Sequence, residues 1–186
     1  MKRIFDFFIS FLLIIIFLPL FFLISVIVKF SSKGPIIYYS KRFGEDNIFF
    51  YMPKFRTMFK NSPDLATHLI ENPERYITPV GKFLRSFSLD ELPQLFSVLK
   101  GEMSLVGPRP ALFNQDDLIH LRVQNGIDKL KPGISGWAQV NGRDDLAIET
   151  KIKYEIEYNL RKSMLFDFYI LILTVYKVVF RKGVNH

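Results

Sequence analysis

Residues 7–28 read FFISFLLIIIFLPLFFLISVIV, an uncharged apolar run interrupted only by Ser10, Pro19 and Ser25. As a helix, this run would measure roughly 33 Å, which is enough to cross the hydrocarbon core of a bilayer. A secretory signal peptide has a shorter apolar region followed by a cleavage site of small residues, and residues 28–30 (VKF) provide no such site. The run therefore predicts a membrane segment that is retained in the protein.

Basic residues flank this segment on both sides. Lys2 and Arg3 precede it, and Lys29 and Lys33 follow it. The positive charge that marks the cytoplasmic side of a membrane helix therefore gives no orientation here. Pro19 lies just past the middle, where it removes one helical hydrogen bond and favours a kink. Two topologies stay open: a kinked helix that crosses the bilayer, and a re-entrant helix that dips into one leaflet and returns.

The composition is both basic and apolar. The 186 residues suffice for one domain core, and 25 Lys and Arg against 18 Asp and Glu give a net charge of +7. A hydrophobic content of 49% with 20 Phe excludes disorder and favours contact with anionic lipid over nucleic acid, for which no recognised binding module is present. The absence of Cys excludes thiol chemistry, and the three widely spaced His argue against a His-based metal site. Any chemistry must use carboxylates, hydroxyls, Lys and Arg.

The pattern of elements predicts an α-rich α+β membrane-associated domain. We expect an N-terminal membrane helix at residues 1–30 and one compact domain at residues 31–186. Within the latter, the apolar spacing and the turn residues predict two short strands that form a hairpin, and several helices. The predicted strands are 36–39 and 48–51, and the predicted helices are a surface helix within 61–78, 80–87, an amphipathic helix at 148–160, and an interfacial or core helix at 165–180.

An acidic pair lies in the block RSFSLDELPQL at residues 85–95. Ser88 and Glu91 have the spacing of a helix capping box, and Asp90 could itself cap a helix with Pro93 in its first turn. Those roles would explain both acids without any function. Alternatively, adjacent carboxylates that point outward from a helix N-terminus suit phosphate chemistry, since one can attack phosphorus while the other holds a divalent cation.

Three further blocks supply cations and glycines. In KGEMSLVGPRP (residues 100–110), the prolines on both sides of Arg109 predict a stiff extended backbone that presents its guanidinium to a phosphate, unless Arg109 pairs with a core carboxylate. In KPGISGWAQVNGR (residues 131–143), which we predict to be loop-like, Trp137 either stacks on a base or anchors the packing. In KFRTM (residues 54–58), alternate cations project to one face. The candidate phosphate-binding residues are Lys54, Arg56, Arg85, Arg109 and Arg143.

These four blocks, together with the N-terminal apolar segment, make the chain resemble the bacterial sugar transferase family. The members that it resembles are the small monotopic phosphoglycosyl transferases, which begin glycoconjugate assembly on polyprenyl phosphate. The likeness runs from the apolar segment to about Phe180. It implies transfer of a phospho-sugar from a UDP-sugar to undecaprenyl phosphate, with release of UMP and a requirement for Mg²⁺.

The resemblance also implies roles for individual residues. Asp90 would be the nucleophile that forms a covalent phosphosugar intermediate, and Glu91, with Asp90 beside it, would hold Mg²⁺. Arg109 would bind phosphate, and the other cations named above match basic positions of the family. Both substrates would meet at the cytoplasmic face of the bacterial inner membrane, which favours a re-entrant helix bent at Pro19 and contact with anionic lipid.

Two other functions explain part of the pattern. A membrane-bound nucleotide-sugar pyrophosphatase would let water resolve the Asp90 intermediate, without a lipid acceptor. A basic membrane adaptor would use the cations to bind lipid or another transferase, and would not need Asp90 at all.

Overall fold

A computed structural model describes residues 1–63, 72–142 and 146–180. In the described ranges, helices predominate over two small two-stranded sheets, which confirms the predicted helix-rich α+β class with a hairpin and one long apolar N-terminal helix. The elements in chain order are α1 (Lys2–Ser31), β1 (Ile37–Phe43), β2 (Phe49–Phe55), α2 (Pro79–Ser86), α3 (Gln94–Lys100), β3 (Ser104–Val106), α4 (Asp116–Gln124), β4 (Gly133–Ser135), α5 (Trp137–Asn141), α6 (Ile148–Arg161) and α7 (Met164–Val179).

The predicted hairpin forms, with longer strands than expected. β1 and β2 pair antiparallel from Ile37 opposite Phe55 to Phe43 opposite Phe49. In β2, buried Phe50 and Met52 alternate with exposed Phe49 and Tyr51, so one face of this strand packs on the core. The first two residues of the KFRTM block are the end of β2.

Two predictions for the middle of the chain need correction or fall partly outside the described residues. The prediction of a loop at 131–143 is wrong for most of its described part, residues 131–142. There β4 pairs parallel with β3, and α5 follows β4 after one residue. Of the surface helix predicted within 61–78, residues 64–71 lie outside the described ranges, and the described remainder holds a 3-10 turn at Pro73–Arg75.

Helix α1 continues through Pro19 and packs on the rest of the chain along both of its halves. Before Pro19, Ile9 and Leu13 contact a core built around Val98 and Met103. After Pro19, Ile24 and Val28 are buried in a second core with Phe55 and Leu84. The inner side of α1 is therefore part of the domain core over almost its whole length.

The outer sides of α1 and α7 expose large apolar side chains. By length and composition, α1 is the one helix among the described residues that is long and apolar enough to cross a membrane. Helix α7 has 16 residues, which agrees with the prediction of an interfacial or core helix. The exposed apolar residues include Phe8, Phe11, Ile15 and Phe22 of α1 and Leu165, Phe168, Ile172 and Val175 of α7.

A buried carboxylate fixes the first half of α1 against β3. The Ser104 hydroxyl donates to Asp6 Oδ2 at 2.7 Å, and the Leu105 amide donates to Asp6 Oδ1 at 3.4 Å. Asp6 is only 3% exposed. Because a buried carboxylate without such donors is unfavourable, this contact sets the position of α1 along the domain.

The Asp6→Ala substitution should lower the free energy of unfolding by about 2–3 kcal/mol, since it removes two hydrogen bonds to a charged acceptor and leaves the Ser104 hydroxyl buried. The measurement is the apparent melting temperature of the detergent-solubilised protein. Ser62→Ala is the control, because Ser62 makes an exposed hydrogen bond to the Phe59 carbonyl and its loss should change stability by no more than about 0.5 kcal/mol. Equal melting temperatures for the two variants would contradict the assignment.

Candidate active site

The acidic pair lies in a 3-10 turn at Leu89–Glu91, between α2 and α3. Ser88 precedes the turn in the left-handed region, with φ 54°, and makes no side-chain capping bond. Helix α3 begins only at Gln94, after Pro93, which is at the cap position and offers no side-chain acceptor. Asp90 therefore lies inside the 3-10 turn and not at the cap position before α3, and Ser88 does not cap through its side chain.

The two carboxylates face inward, which corrects the expectation that they point outward. Asp90 is 7% exposed, and the Glu91 side chain is 16% exposed. The physical reason is the tight turn between α2 and α3, which brings Glu91 to Lys54 of β2 instead of presenting it at an open helix end. Both acids thus lie in an environment with little water, where the surrounding cations act strongly on them.

Two of the predicted cations meet at one oxygen of Glu91. Lys54 Nζ, from the end of β2, donates to Glu91 Oε1 at 2.7 Å. Arg109 Nη1, from the segment after β3, donates to the same oxygen at 3.3 Å. The structure therefore brings together residues from three of the four sequence blocks at the acidic pair.

Arg85 is a further cation beside the acids. Its Nε donates to the Thr57 hydroxyl at 2.9 Å. Burial lowers the pKa of the Arg85 guanidinium, while the negative charges of Asp90 and Glu91 favour its protonated form and oppose that effect. Thr57 therefore orients Arg85, a role that the sequence analysis did not predict. The only indication in the sequence was that Thr57 belongs to the KFRTM block.

Arg56 does not join this cluster. Its Nη2 donates to the carbonyls of Val28 at 3.2 Å and Ser32 at 2.7 Å, and its Nη1 donates to the Pro35 carbonyl. Burial lowers the pKa of this guanidinium. The strand ends at Phe55, so Arg56 no longer follows the alternation that placed it with Lys54, and it instead binds carbonyls at the end of α1. The expected phosphate-binding role of Arg56 therefore finds no support in its contacts.

Two further residues of the sequence prediction are Arg143 and Trp137. Arg143 lies outside the described residues. The Trp137 ring packs against Phe166 and Tyr169, and its Nε1 donates to Glu157 Oε2 at 2.8 Å. The alternative in which Trp137 anchors the packing is the one that the structure shows.

Close backbone approach supports the segment that carries Arg109. A Cβ atom on Gly107 would lie 2.2 Å from the Lys131 carbonyl oxygen, and one on Gly136 would lie 2.1 Å from the Gly107 carbonyl oxygen. A side chain at either position would clash with the backbone, so glycine is required in both the 100–110 and the 131–143 block. The two blocks form one support under Arg109.

Asp90 and Glu91 alone do not provide enough ligands for a complete magnesium site. Among the described residues there is no cluster of three or more His, Cys, Asp or Glu side chains that would hold a metal alone. Mg²⁺, however, commonly binds one or two carboxylates together with substrate phosphates and water. Asp90 and Glu91 fit that mode, in which a phosphate-containing ligand supplies the other oxygens.

The fold and the site together define a protein in which one apolar helix packs beside an acidic pair faced by cations. In sequence, the chain matches the family described as bacterial sugar transferase over residues 1–181. The chain therefore belongs to the bacterial sugar transferase family.

Three relatives illustrate the similarity. The undecaprenyl-phosphate glucose phosphotransferase of Komagataeibacter xylinus is 37% identical over 98% of this chain and 36% of its own length. The exopolysaccharide production protein ExoY of Sinorhizobium fredii is 35% identical over 98% of this chain and 87% of its own length. The UDP-N-acetylgalactosamine-undecaprenyl-phosphate N-acetylgalactosaminephosphotransferase of Aeromonas hydrophila is 36% identical over 96% of this chain and 42% of its own length. The chain thus spans about two fifths of the first and third relatives.

The Arg56→Lys substitution should lower the apparent melting temperature more than Lys54→Met does. A lysine cannot reach the three carbonyls that Arg56 binds, and these would be left without a charged donor. Lys54→Met leaves Glu91 with its bond from Arg109 and keeps the apolar stem. The reverse order of melting temperatures would contradict a structural role for Arg56.

Proposed function

We propose that the chain is a phosphoglycosyl transferase that moves a phospho-sugar from a UDP-sugar to undecaprenyl phosphate and releases UMP. The observation that carries the proposal is the acidic pair at Leu89–Glu91 with Lys54, Arg85 and Arg109 around it. Three cations against two carboxylates leave positive charge for a pyrophosphate. The printed names of the relatives, which act on undecaprenyl phosphate with glucose or N-acetylgalactosamine, support the same reaction.

In the first step, an Asp90 carboxylate oxygen attacks the β-phosphorus of the UDP-sugar. The bond from this phosphorus to the oxygen that bridges it to the α-phosphate breaks, and UMP leaves with that electron pair. In the second step, an oxygen of undecaprenyl phosphate attacks the same phosphorus, and the bond to Asp90 breaks. The carboxylate is regenerated, and each step exchanges one P–O bond for another.

The cations perform the electrostatic part of the reaction. Arg109 and Lys54 share Glu91 in the protein alone, and both can turn toward phosphate oxygens when a substrate enters. Arg85 lies near both acids and lowers the repulsion between the Asp90 carboxylate and the anionic donor. Dividing the transfer into two displacements lets a water-soluble donor and a lipid acceptor use one site in turn.

Glu91, with Asp90 beside it, would hold Mg²⁺ in this proposal. The ion would supply charge neutralisation at the pyrophosphate. Because Glu91 already accepts bonds from Lys54 and Arg109, we expect the ion to bind together with the donor and not before it.

The packing of α1 supports one membrane arrangement over the other. At its N-terminal end, Arg3 donates to the carbonyls of Val98 and Leu99, and at its other end Val28 is buried beside Phe55. A polar domain that holds both ends of one helix cannot lie on a single side of a bilayer that this helix crosses. We therefore propose that α1 is re-entrant, with Pro19 at the site of the bend, and that its outer face is in one leaflet of the bacterial inner membrane on the cytoplasmic side.

The Asp90→Asn variant should lose at least about 1,000-fold in UMP release, because an amide cannot serve as the nucleophile. The assay combines the detergent-solubilised protein with undecaprenyl phosphate, Mg²⁺ and a panel of UDP-sugars. Asp116→Asn, which changes an exposed acid in the first turn of α4, should keep normal activity. Both variants should melt at the temperature of the unmodified protein.

The same assay separates the other functions. With donor alone, the proposal predicts a burst of about one UMP per protein and a sugar phosphate bound to the peptide that contains Asp90. Continuous release of UMP and sugar phosphate without acceptor would indicate a pyrophosphatase. Normal lipid-linked product from Asp90→Asn would refute the covalent mechanism. No UMP release from any donor would refute the transferase and favour the basic membrane adaptor.

The re-entrant topology predicts that the N-terminal end of α1 and the domain that follows α1 are labelled from the same side of the membrane. The chain has no cysteine, so single-cysteine variants can be read without background. A cysteine inserted between Met1 and Lys2, and Asp116→Cys as a reference in the domain, should both resist a membrane-impermeant maleimide in intact cells and react in inverted vesicles. Labelling of the inserted cysteine alone in intact cells would show that α1 spans.

A further inference from the structure

A buried ion pair lies behind the candidate site, on α4 and α6. Arg122 Nε donates to Glu155 Oε2 at 2.8 Å, and Arg122 Nη2 donates to Glu155 Oε1. Arg122 is 8% exposed and Glu155 is 2% exposed. Buried ion pairs are costly to form and contribute little more stability than apolar side chains of similar size, so packing alone does not account for this one.

The pair reaches the site through one further hydrogen bond. Arg122 Nη2 also donates to the Arg109 carbonyl at 2.8 Å. On the next residue, Arg42 Nη1 donates to the Pro110 carbonyl at 3.1 Å. Two arginines from different elements therefore hold two consecutive carbonyls of the segment that carries the Arg109 guanidinium.

The segment is held mainly through its carbonyls, and the Pro108 carbonyl also accepts from the Gly133 amide at 2.8 Å. Pro108 and Pro110 lack backbone N–H groups, so hydrogen bonds to this stretch must be made largely at its carbonyls. The guanidinium of Arg109 faces Glu91 at the other end of the same residue. A small movement of the Arg109 backbone would thus displace the guanidinium that this segment presents to Glu91.

We infer that Arg122 is a positioning residue that acts through Arg109, and that Glu155 holds Arg122 in the orientation this requires. The inference rests on the proposed function, since it assigns Arg109 to the phosphates of the donor. Glu155 binds two nitrogens of the guanidinium and so fixes its plane, which directs Nη2 at the Arg109 carbonyl. Lysine cannot replace Arg122, because one ammonium does not provide this planar fork.

The test is a double-mutant cycle between Arg122→Lys and Arg109→Gln. It is read by UMP release and, independently of turnover, by UDP binding in the presence of Mg²⁺. In the unmodified background, Arg122→Lys should lower kcat/KM about 10- to 100-fold and weaken UDP binding, because a displaced Arg109 no longer meets the phosphates. In the Arg109→Gln background, the same change should alter both values less than about twofold.

Equal losses in both backgrounds would overturn the inference and leave Arg122 a structural residue. Lys129→Gln, which removes an exposed ion pair with Asp46, is the control and should leave both values unchanged. If Arg122→Lys does not fold, Glu155→Gln is carried through the same cycle. UDP binding without UMP release would refute the proposed function but still test Arg122, whereas no UDP binding by the unmodified protein would refute both.

Discussion

The structure depends on the end of β2 and the residue after it, where three consecutive side chains point to the acidic site, the apolar core and the end of α1. Lys54 binds Glu91, Phe55 is buried with Val28 and Leu84, and Arg56 binds carbonyls at the end of α1. The acidic site, the core and the apolar helix α1 thus meet within about 10 Å of chain. Because of this, the distance between the acids and the exposed apolar surface of α1 is set by local backbone geometry and not by a flexible linker.

The charges at the site balance one another in the protein alone. Glu91 accepts bonds from two cations, and Arg85 is partly desolvated beside both acids. These partners satisfy the buried carboxylates when no ligand is bound. In the proposed reaction, a pyrophosphate would bring further negative charge to the same cations, so its binding would replace one set of ionic contacts with another.

Sequence patterns predicted the parts of the molecule that local signals determine. The hairpin, α2, α6 and α7 follow from periodicity and turn residues, and the meeting of Lys54, Arg85 and Arg109 at the acids follows from the clustering of unusual blocks. The inward direction of Asp90 and the different role of Arg56 were not predictable, since both depend on where a turn and a strand end in three dimensions. The parallel pairing of β3 with β4 and the contact of Arg122 with Glu155 join distant residues, and no local pattern marks either.

The polar contact between Asp6 and Ser104 has a consequence for biosynthesis. These residues are 98 positions apart, so α1 leaves the ribosome long before its buried partners in β3 exist. During that interval Asp6 has no donor from β3, and in the proposed membrane arrangement this would favour entry of the apolar face of α1 with Asp6 left in contact with water. We therefore expect the helix to adsorb to the membrane first and to reach its final depth only when the domain folds onto its inner side.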